Sequence, residues 1–294
     1  MNNRFAIIEI GSTNTKTHVF ENEQVIFENT ATIEFKKNYK NSEIDKTDLD
    51  KLCAVIEKAI SFTKNIHIYG CSIFRNISIQ ELDEINKQFI SKYNLKIEVV
   101  SQEDEAKLTA NGCFENIDYD KTMCIFIGGG GSIELIFVKN SEIMDKKFYN
   151  FGVVDITKKF PSLKDDIPEC TFDEVYNHIN LLINDELTKA EVLILAGGDH
   201  LYWYNNAGFN LLENTLYSAK NQKYLITREM SDAYDRTAYT TSLNRIRERS
   251  DNPLWFDGSR AMKAITNLVA HKIDAKYIIP TKINMEDGLK NNFI

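Results

Sequence analysis

The sequence predicts an α/β protein built from two similar domains. Strands and helices alternate along the chain, and one strand–turn–strand unit occurs twice. The length of 294 residues leaves room for two domains of ordinary size. The first unit opens with Phe5–Ile10 (FAIIEI), an apolar run suited to a buried strand. A small-residue turn follows at Gly11, Ser12, Thr13 and Asn14. Lys16–Glu21 and Gln24–Asn29 then read as two further strands. The second unit runs from the apolar strand MCIFI through the turn GGGGS into IELIFV, with another turn at Lys139–Ser141. Glu9–Asn14 aligns with Ile127–Ser132 at an offset of 118 residues (127 against 9).

Helical spacing of Leu49, Leu52, Val55, Ile56, Ala59 and Ile60 predicts a helix over Asp48–Thr63. Ile66–Tyr69 and Lys96–Val100 read as strands, and Ser78–Lys92 as a helix. Glu103–Gly112 reads as a helix capped by Ser101, with acids in its first turn. Farther on, helices are expected at Asp173–Leu187, Ser231–Arg249 and Ser259–Ala270. Strands are expected at Val192–Ala196 and Tyr277–Ile279, with a turn at Gly197-Gly198. The domains are expected at residues 1–118 and 119–294, with the boundary near Asn116–Lys121.

Composition narrows the function. Hydrophobic residues make up 43% and charged residues 27%, as in folded globular proteins. The net charge of −8 opposes a general nucleic-acid binder. It also gives no long-range attraction for a polyanion, so an anion site must be local, built from backbone N–H groups and a few cations. Five cysteines with no CxxC pair fit reduced thiols. No signal-peptide pattern and no run of about 20 apolar residues is present, so the cytoplasm is the expected location and no membrane partner is expected.

The two small-residue turns are candidate phosphate sites. Glycine lets the backbone approach a phosphate closely, and successive N–H groups form an anion nest. No Walker P-loop occurs, and GGGGS leads into a strand rather than a helix, unlike the dinucleotide fingerprint. Five scattered histidines show no metal-ligand spacing. His200 reads as a surface residue, and Tyr202, Trp203 and Tyr204 as packing.

The acidic motif Ser101–Leu108 (SQEDEAKL), with GGGGSIEL about twenty residues later, resembles the exopolyphosphatase and guanosine pentaphosphate phosphatase family. Other landmarks follow in that family's order: Glu9-Ile10-Gly11-Ser12, Gly70–Arg75, Phe151–Val154, Ala196-Gly197-Gly198 and Asp287-Gly288-Leu289. The resemblance spans nearly the whole chain. It implies an actin-like and sugar-kinase-like fold of two ribonuclease-H-like domains flanking a cleft.

It also implies roles. Glu105 is the general base on the attacking water, Glu134 helps hold metal or water, and Arg75 faces the cleft. The phosphate contacts are Gly11, Ser12, Thr13, Asn14 and Lys16 in the first loop, Gly129, Gly130, Gly131 and Ser132 in the second, and Gly197 and Gly198 in the third. Glu9 and Glu134 are the implied ligands of Mg2+ or another divalent cation. The implied reaction is hydrolysis of the terminal phosphate of polyphosphate or guanosine pentaphosphate. Phosphoryl transfer needs positioned water and neutralised oxygens, which these residue types supply.

Four positions depart from the family pattern. Glu9 stands for an aspartate, Ile127 for a second aspartate that serves as a magnesium ligand, Ile133 for a threonine, and Asp155 for a basic residue. Isoleucine cannot bind a hard cation. The alternative is therefore a regulatory module of the same fold that binds polyphosphate or nucleotide without turnover. A kinase of the same superfamily ranks third, because the acidic motif favours water over a sugar hydroxyl. The assembly, including a homodimer, stays open.

Overall fold

The computed structural model describes residues 4–22, 24–40, 43–114, 121–216, 223–250, 252–290 and 293. Two mixed sheets organise it. The first is formed by β1 (Arg4–Ile10), β2 (Asn14–Glu21), β3 (Gln24–Thr32), β4 (Ile66–Gly70) and β5 (Ile97–Val99), in the order β3-β2-β1-β4-β5. β1, β2 and β3 pair antiparallel as a meander, whereas β4 and β5 continue the sheet in parallel. Helices α1 (Phe35–Asn38), α2 (Lys46–Ile60) and α3 (Ile79–Tyr93) belong to this half, and α4 (Gln102–Phe114) leads out of it.

The second sheet contains β6 (Met123–Gly128), β7 (Ile133–Lys139), β8 (Glu142–Tyr149), β9 (Val192–Leu195), β10 (Leu212–Glu213), β11 (Tyr224–Thr227) and β12 (Tyr277–Pro280). Its order is β10-β11-β12-β9-β6-β7-β8, so β8-β7-β6-β9-β12 repeats the order and directions of the first sheet. Its helices are α5 (Val153–Lys159), α6 (Phe172–Leu182), α7 (Asp199–Ala207), α8 (Arg228–Thr237), α9 (Leu243–Arg247) and α10 (Ser259–Lys272). A last helix, α11, covers Met285–Leu289.

Alternation along β1 explains how the first half is covered. Ala6, Ile8 and Ile10 point into a core with Leu52 and Ile56 of α2 and Ile85 and Phe89 of α3. Phe5 and Ile7 point the other way, onto Phe20, Tyr69 and Val100, and also onto Met285 and Leu289 of α11. α4 makes the reverse crossing: its Ala106, Ala110 and Cys113 pack on Met123, Ile125 and Ile136 of the second sheet. Each half thus lends a helix to the other. The second sheet's opposite face holds the largest core, with Phe126, Leu135, Trp203, Phe256 and Ile265 among its buried members.

The expected strands of both meanders form, and Ser101 Oγ accepts from Asp104 N at 3.1 Å, as a cap of α4 should. The helix expected over Ser231–Arg249 is two helices, because chain reversal at Thr240, Thr241 and Ser242 separates α8 from α9. Thr240 and Thr241 hydroxyls donate to the Thr237 carbonyl, and Ser242 caps α9. The helix expected to reach Leu187 stops at Leu182. The expected domain boundary at 116–121 lies outside the described residues except for Lys121. Among the described residues, no helix is long and apolar enough to cross a membrane.

Candidate active site

The carboxyl ends of β1, β4, β6 and β9 open onto one cavity of about 380 Å³ between the two sheets. Ligands of open α/β sheets bind at such ends. Glu9, Gly11, Ser12, Thr13, Asn14 and Lys16 line it from the first hairpin, and Ile127–Gly130, Ser132 and Glu134 from the second. Glu105, Gly197, Asp199, His200 and Lys263 also border it.

The second glycine loop is held from behind. Val153 N donates to Gly129 O and Val154 N to Gly130 O, both at 3.1 Å. In a trans peptide the N–H opposes the C=O, so the Gly130 and Gly131 amides point away from α5. This contact also explains Gly152: a Cβ there would lie 2.4 Å from Gly129 O. The two loops nearly touch. A Cβ on Gly130 would sit 2.3 Å from Thr13 Oγ1, and one on Gly131 would sit 2.6 Å from Ser72 Oγ. Ser12 and Ser72 hydroxyls bond each other at 2.7 Å. In the third loop Gly197 lines the cavity and Gly198 sits behind it as the N-cap of α7, both with positive φ.

Arg75 does not line the cavity; it stands behind the carboxylates and ties them together. Its Nη1 donates to Glu105 Oε2 at 2.6 Å and to Val100 O at 3.3 Å. Nη2 reaches Ser132 Oγ at 3.4 Å and lies 3.9 Å from Glu134 Oε1. Gln102 Nε2 donates to the same Glu134 oxygen at 2.8 Å. Burial, and secondarily the Glu105 charge, pushes the Glu134 carboxyl up to about 8, despite bonds from Ser132 and Gln102. Burial therefore favours the neutral form of Glu134.

The first hairpin is more strongly charged. Lys16 Nζ donates to Gly197 O at 3.1 Å, bridging the halves. Burial alone would lower its pKa, but Glu9, Asp199, Glu286 and Glu105 raise it overall, so it stays a cation. Glu9 is pushed well above the ordinary carboxylate range by burial and by the adjacent Glu286 carboxylate. Burial would also raise Glu286, but the His18 imidazole, bonded at 3.2 Å, and Lys16 outweigh it and hold Glu286 at about 2. The Glu9–Glu286 pair thus shares one proton, as close carboxylates do.

The Ppx/GppA phosphatase family model matches residues 18–248. The chain belongs to the Ppx/GppA phosphatase family. A crystal structure of the Aquifex aeolicus Ppx/GppA family member matches with a TM-score of 0.74 at 14% identity, covering 99% of this chain and 97% of that one. An exopolyphosphatase from Cytophaga hutchinsonii matches with a TM-score of 0.78 at 15% identity, again over 99% and 97% of the two chains. At such identities the likeness shows the fold alone: two mixed α/β units that repeat one strand order on either side of a cleft, as the sequence predicts. No curated protein sequence matches the chain.

The departures from the Ppx/GppA pattern have structural settings. Ile133 is fully buried in the large core. Asp155 accepts from Gly152 N at 3.0 Å and pairs with Lys36 across the cleft at 2.6 Å. Ile127 packs on the apolar cluster beneath α4 and stands opposite Glu134 in the β6–β7 register. Against expectation, His200 is buried, borders the cavity and is kept neutral by burial and the nearby Lys263 charge. Trp203 and Tyr204 are core residues, as read from the sequence.

The carboxylates fit a divalent cation. Among the described residues, the ligand-type atoms of Glu9, Cys71 and Glu105 lie within 4.8 Å of one another. Glu9 Oε2 and Glu286 Oε2 are buried and receive no hydrogen bond from an N–H group; the two carboxyls face each other. Glu134, the other expected ligand, is not in this group. Sequence reasoning missed Cys71, His18, Asp199 and Glu286. Cys71 lies inside a quoted motif and Glu286 directly precedes another, so the motifs carried the signal.

Proposed function

We propose that the protein hydrolyses the terminal phosphoanhydride of inorganic polyphosphate or guanosine pentaphosphate, assisted by a divalent cation. The observation carrying this reading is the convergence of both glycine-type loops on one cavity with Glu105 between them. The Gly130 and Gly131 amides and the Ser12 and Ser132 hydroxyls receive the terminal phosphate, and Lys16 offsets its charge. Glu105, oriented by Arg75, accepts the proton of the attacking water. Arg75 is a positioning residue that fixes this orientation. In its neutral form, which burial favours, Glu134 donates a hydrogen bond toward a phosphate oxygen. A bound divalent cation would neutralise phosphate oxygens during transfer.

Glu105→Gln keeps the shape and removes the basicity. Turnover should drop by about 10²–10⁴-fold with little change in substrate binding. The assay is phosphate release from polyphosphates of defined length and from guanosine pentaphosphate. A variant turning over at the parent rate removes Glu105 from the mechanism. The second reading, binding without turnover, is favoured by Ile127 in the cavity wall. It wins if the parent binds these ligands yet releases no phosphate with any divalent metal.

A further inference from the structure

The inner end of the cavity holds a donor set that magnesium does not explain. Glu9 lies opposite Tyr69 in the parallel β1–β4 register. Cys71, two residues beyond Tyr69, therefore projects from the same face as Glu9. Cys71 N donates to Ile10 O at 2.9 Å, which extends the register to the cysteine. Glu105 comes from the first turn of α4. Three neighbouring elements thus bring two carboxylates and one thiol within 4.8 Å of one another.

The surroundings call for a cation. Glu286 is 1% exposed, and its carboxyl lies against that of Glu9, whose Oε2 is buried and receives no hydrogen bond from an N–H group.

The thiol decides which ion. Magnesium requires oxygen ligands, whereas a thiolate favours zinc and similar softer metals. Bond lengths of about 2.0–2.3 Å to oxygen and sulfur let one ion bridge the three donors after small rotamer shifts. We propose that Glu9, Cys71 and Glu105 bind a thiophilic divalent ion of the Zn2+ or Co2+ type in preference to magnesium. The inference rests on the same cleft as the hydrolase reading and concerns its metal. Burial and the Glu105 and Glu9 charges hold the Cys71 thiol well above its ordinary range, so it ionises only as the ion binds: the S–H bond breaks, the sulfur keeps the electron pair as thiolate, and the proton leaves to solvent. No oxidation state changes.

The test is spectroscopic and needs no turnover. Metal-free full-length protein is titrated with Co2+ and followed in the near ultraviolet for thiolate-to-cobalt charge transfer. We expect the band in the parent protein, its persistence in excess Mg2+, and its loss in Cys71→Ser, where the other four cysteines remain. Glu9→Gln should keep the band but weaken Co2+ binding by more than about tenfold. The parent spectrum alone decides whether a thiolate binds, so the result does not hinge on a variant folding. No band in the parent, a band surviving Cys71→Ser, or displacement by equimolar Mg2+ each overturns the proposal. A clean cobalt band with no phosphate release under any divalent metal would overturn the hydrolase reading and leave the metal assignment standing.

Discussion

The two hairpins that face each other across the cleft share one backbone and carry opposite chemistry. At the 118-residue offset, the closing bond Gly11 N to Asn14 O at 2.9 Å corresponds to Gly129 N to Ser132 O at 3.1 Å. The β-bulge between Val19 and Phe20 corresponds to the one between Phe137 and Val138. Glu9 faces Lys16 in the first register, and Ile127 faces Glu134 in the second, at the same two equivalent positions. The first hairpin sets a carboxyl opposite a lysine; the second sets an apolar residue opposite a carboxyl whose neutral form burial favours. A duplicated frame can therefore hold different electrostatics, because turn geometry and bulge position depend on the backbone while pKa values depend on the neighbours.

Removing the charge from the first hairpin should have the largest effect on stability. Lys16→Met leaves Glu9, Glu286 and Asp199 facing one another without their shared cation. We expect a loss of about 3 kcal/mol, toward the lower end for a broken buried pair because Lys16 borders the cavity. Denaturant unfolding at neutral pH measures it. A midpoint equal to the parent's would mean that the carboxyls neutralise by protonation at no cost.

Making the second hairpin resemble the first should have a smaller effect. Ile127→Asp puts an acid opposite Glu134 and against the apolar cluster under α4. Without metal it should destabilise by about 1–3 kcal/mol. Added divalent metal should recover part of that loss and raise turnover. Thermal unfolding with chelator and then with metal compares the states. An unchanged melting temperature in chelator would show that the apolar setting of Ile127 is unimportant.

The turns can be compared without altering charge. A Cβ on Gly129 meets nothing within 4 Å, whereas one on Gly130 strikes Thr13 of the opposite loop. Gly129→Ala should fold like the parent yet bind phosphate about tenfold more weakly by calorimetry, a loss of about 1.4 kcal/mol. Gly130→Ala should lose stability as well. Equal phosphate affinity in Gly129→Ala and parent would detach the second loop from anion binding.

The smallest effect concerns the proton on Glu134. Its native pKa of about 8 exceeds the ordinary 4.5, so the native state binds the extra proton between those values. The stability contributed by that proton is full below about 4.5 and lost as pH rises through about 8. Glu134→Gln should flatten this slope in chelator, followed by melting temperature across about pH 5 to 8. A parent whose stability rises over that window would contradict the assignment.

The frame of this site was legible because glycine and β-branched residues report on backbone directly. FAIIEI, MCIFI and the small-residue turns announced both hairpins, and the acidic run after Ser101 announced α4. The remainder depends on contacts between distant residues. Thr240-Thr241-Ser242 continues a helical spacing, and only its own hydroxyl–backbone bonds reveal the break. β10, β11 and α11 are too short to show a period. Glu286 reads as one acid among 43 Asp and Glu residues until the fold sets it against Glu9 and His18. Cys71 reads as a small residue until β4 aligns it with β1. Arg75 was expected in the cleft, and its place behind Glu105 follows from the turn after β4.

The exchange of helices between the halves has a consequence for how the chain is made. β1 leaves the ribosome some 280 residues before α11, yet Phe5 and Ile7 are covered by Met285 and Leu289. During synthesis that face of the first sheet stays wet until some 280 residues later, so the first half cannot finish as an independent folding unit. The same long closure that delays assembly ties both walls of the cleft into one cooperative structure. A nascent chain halted before Met285 would therefore present a greasy sheet face, a natural handle for chaperones.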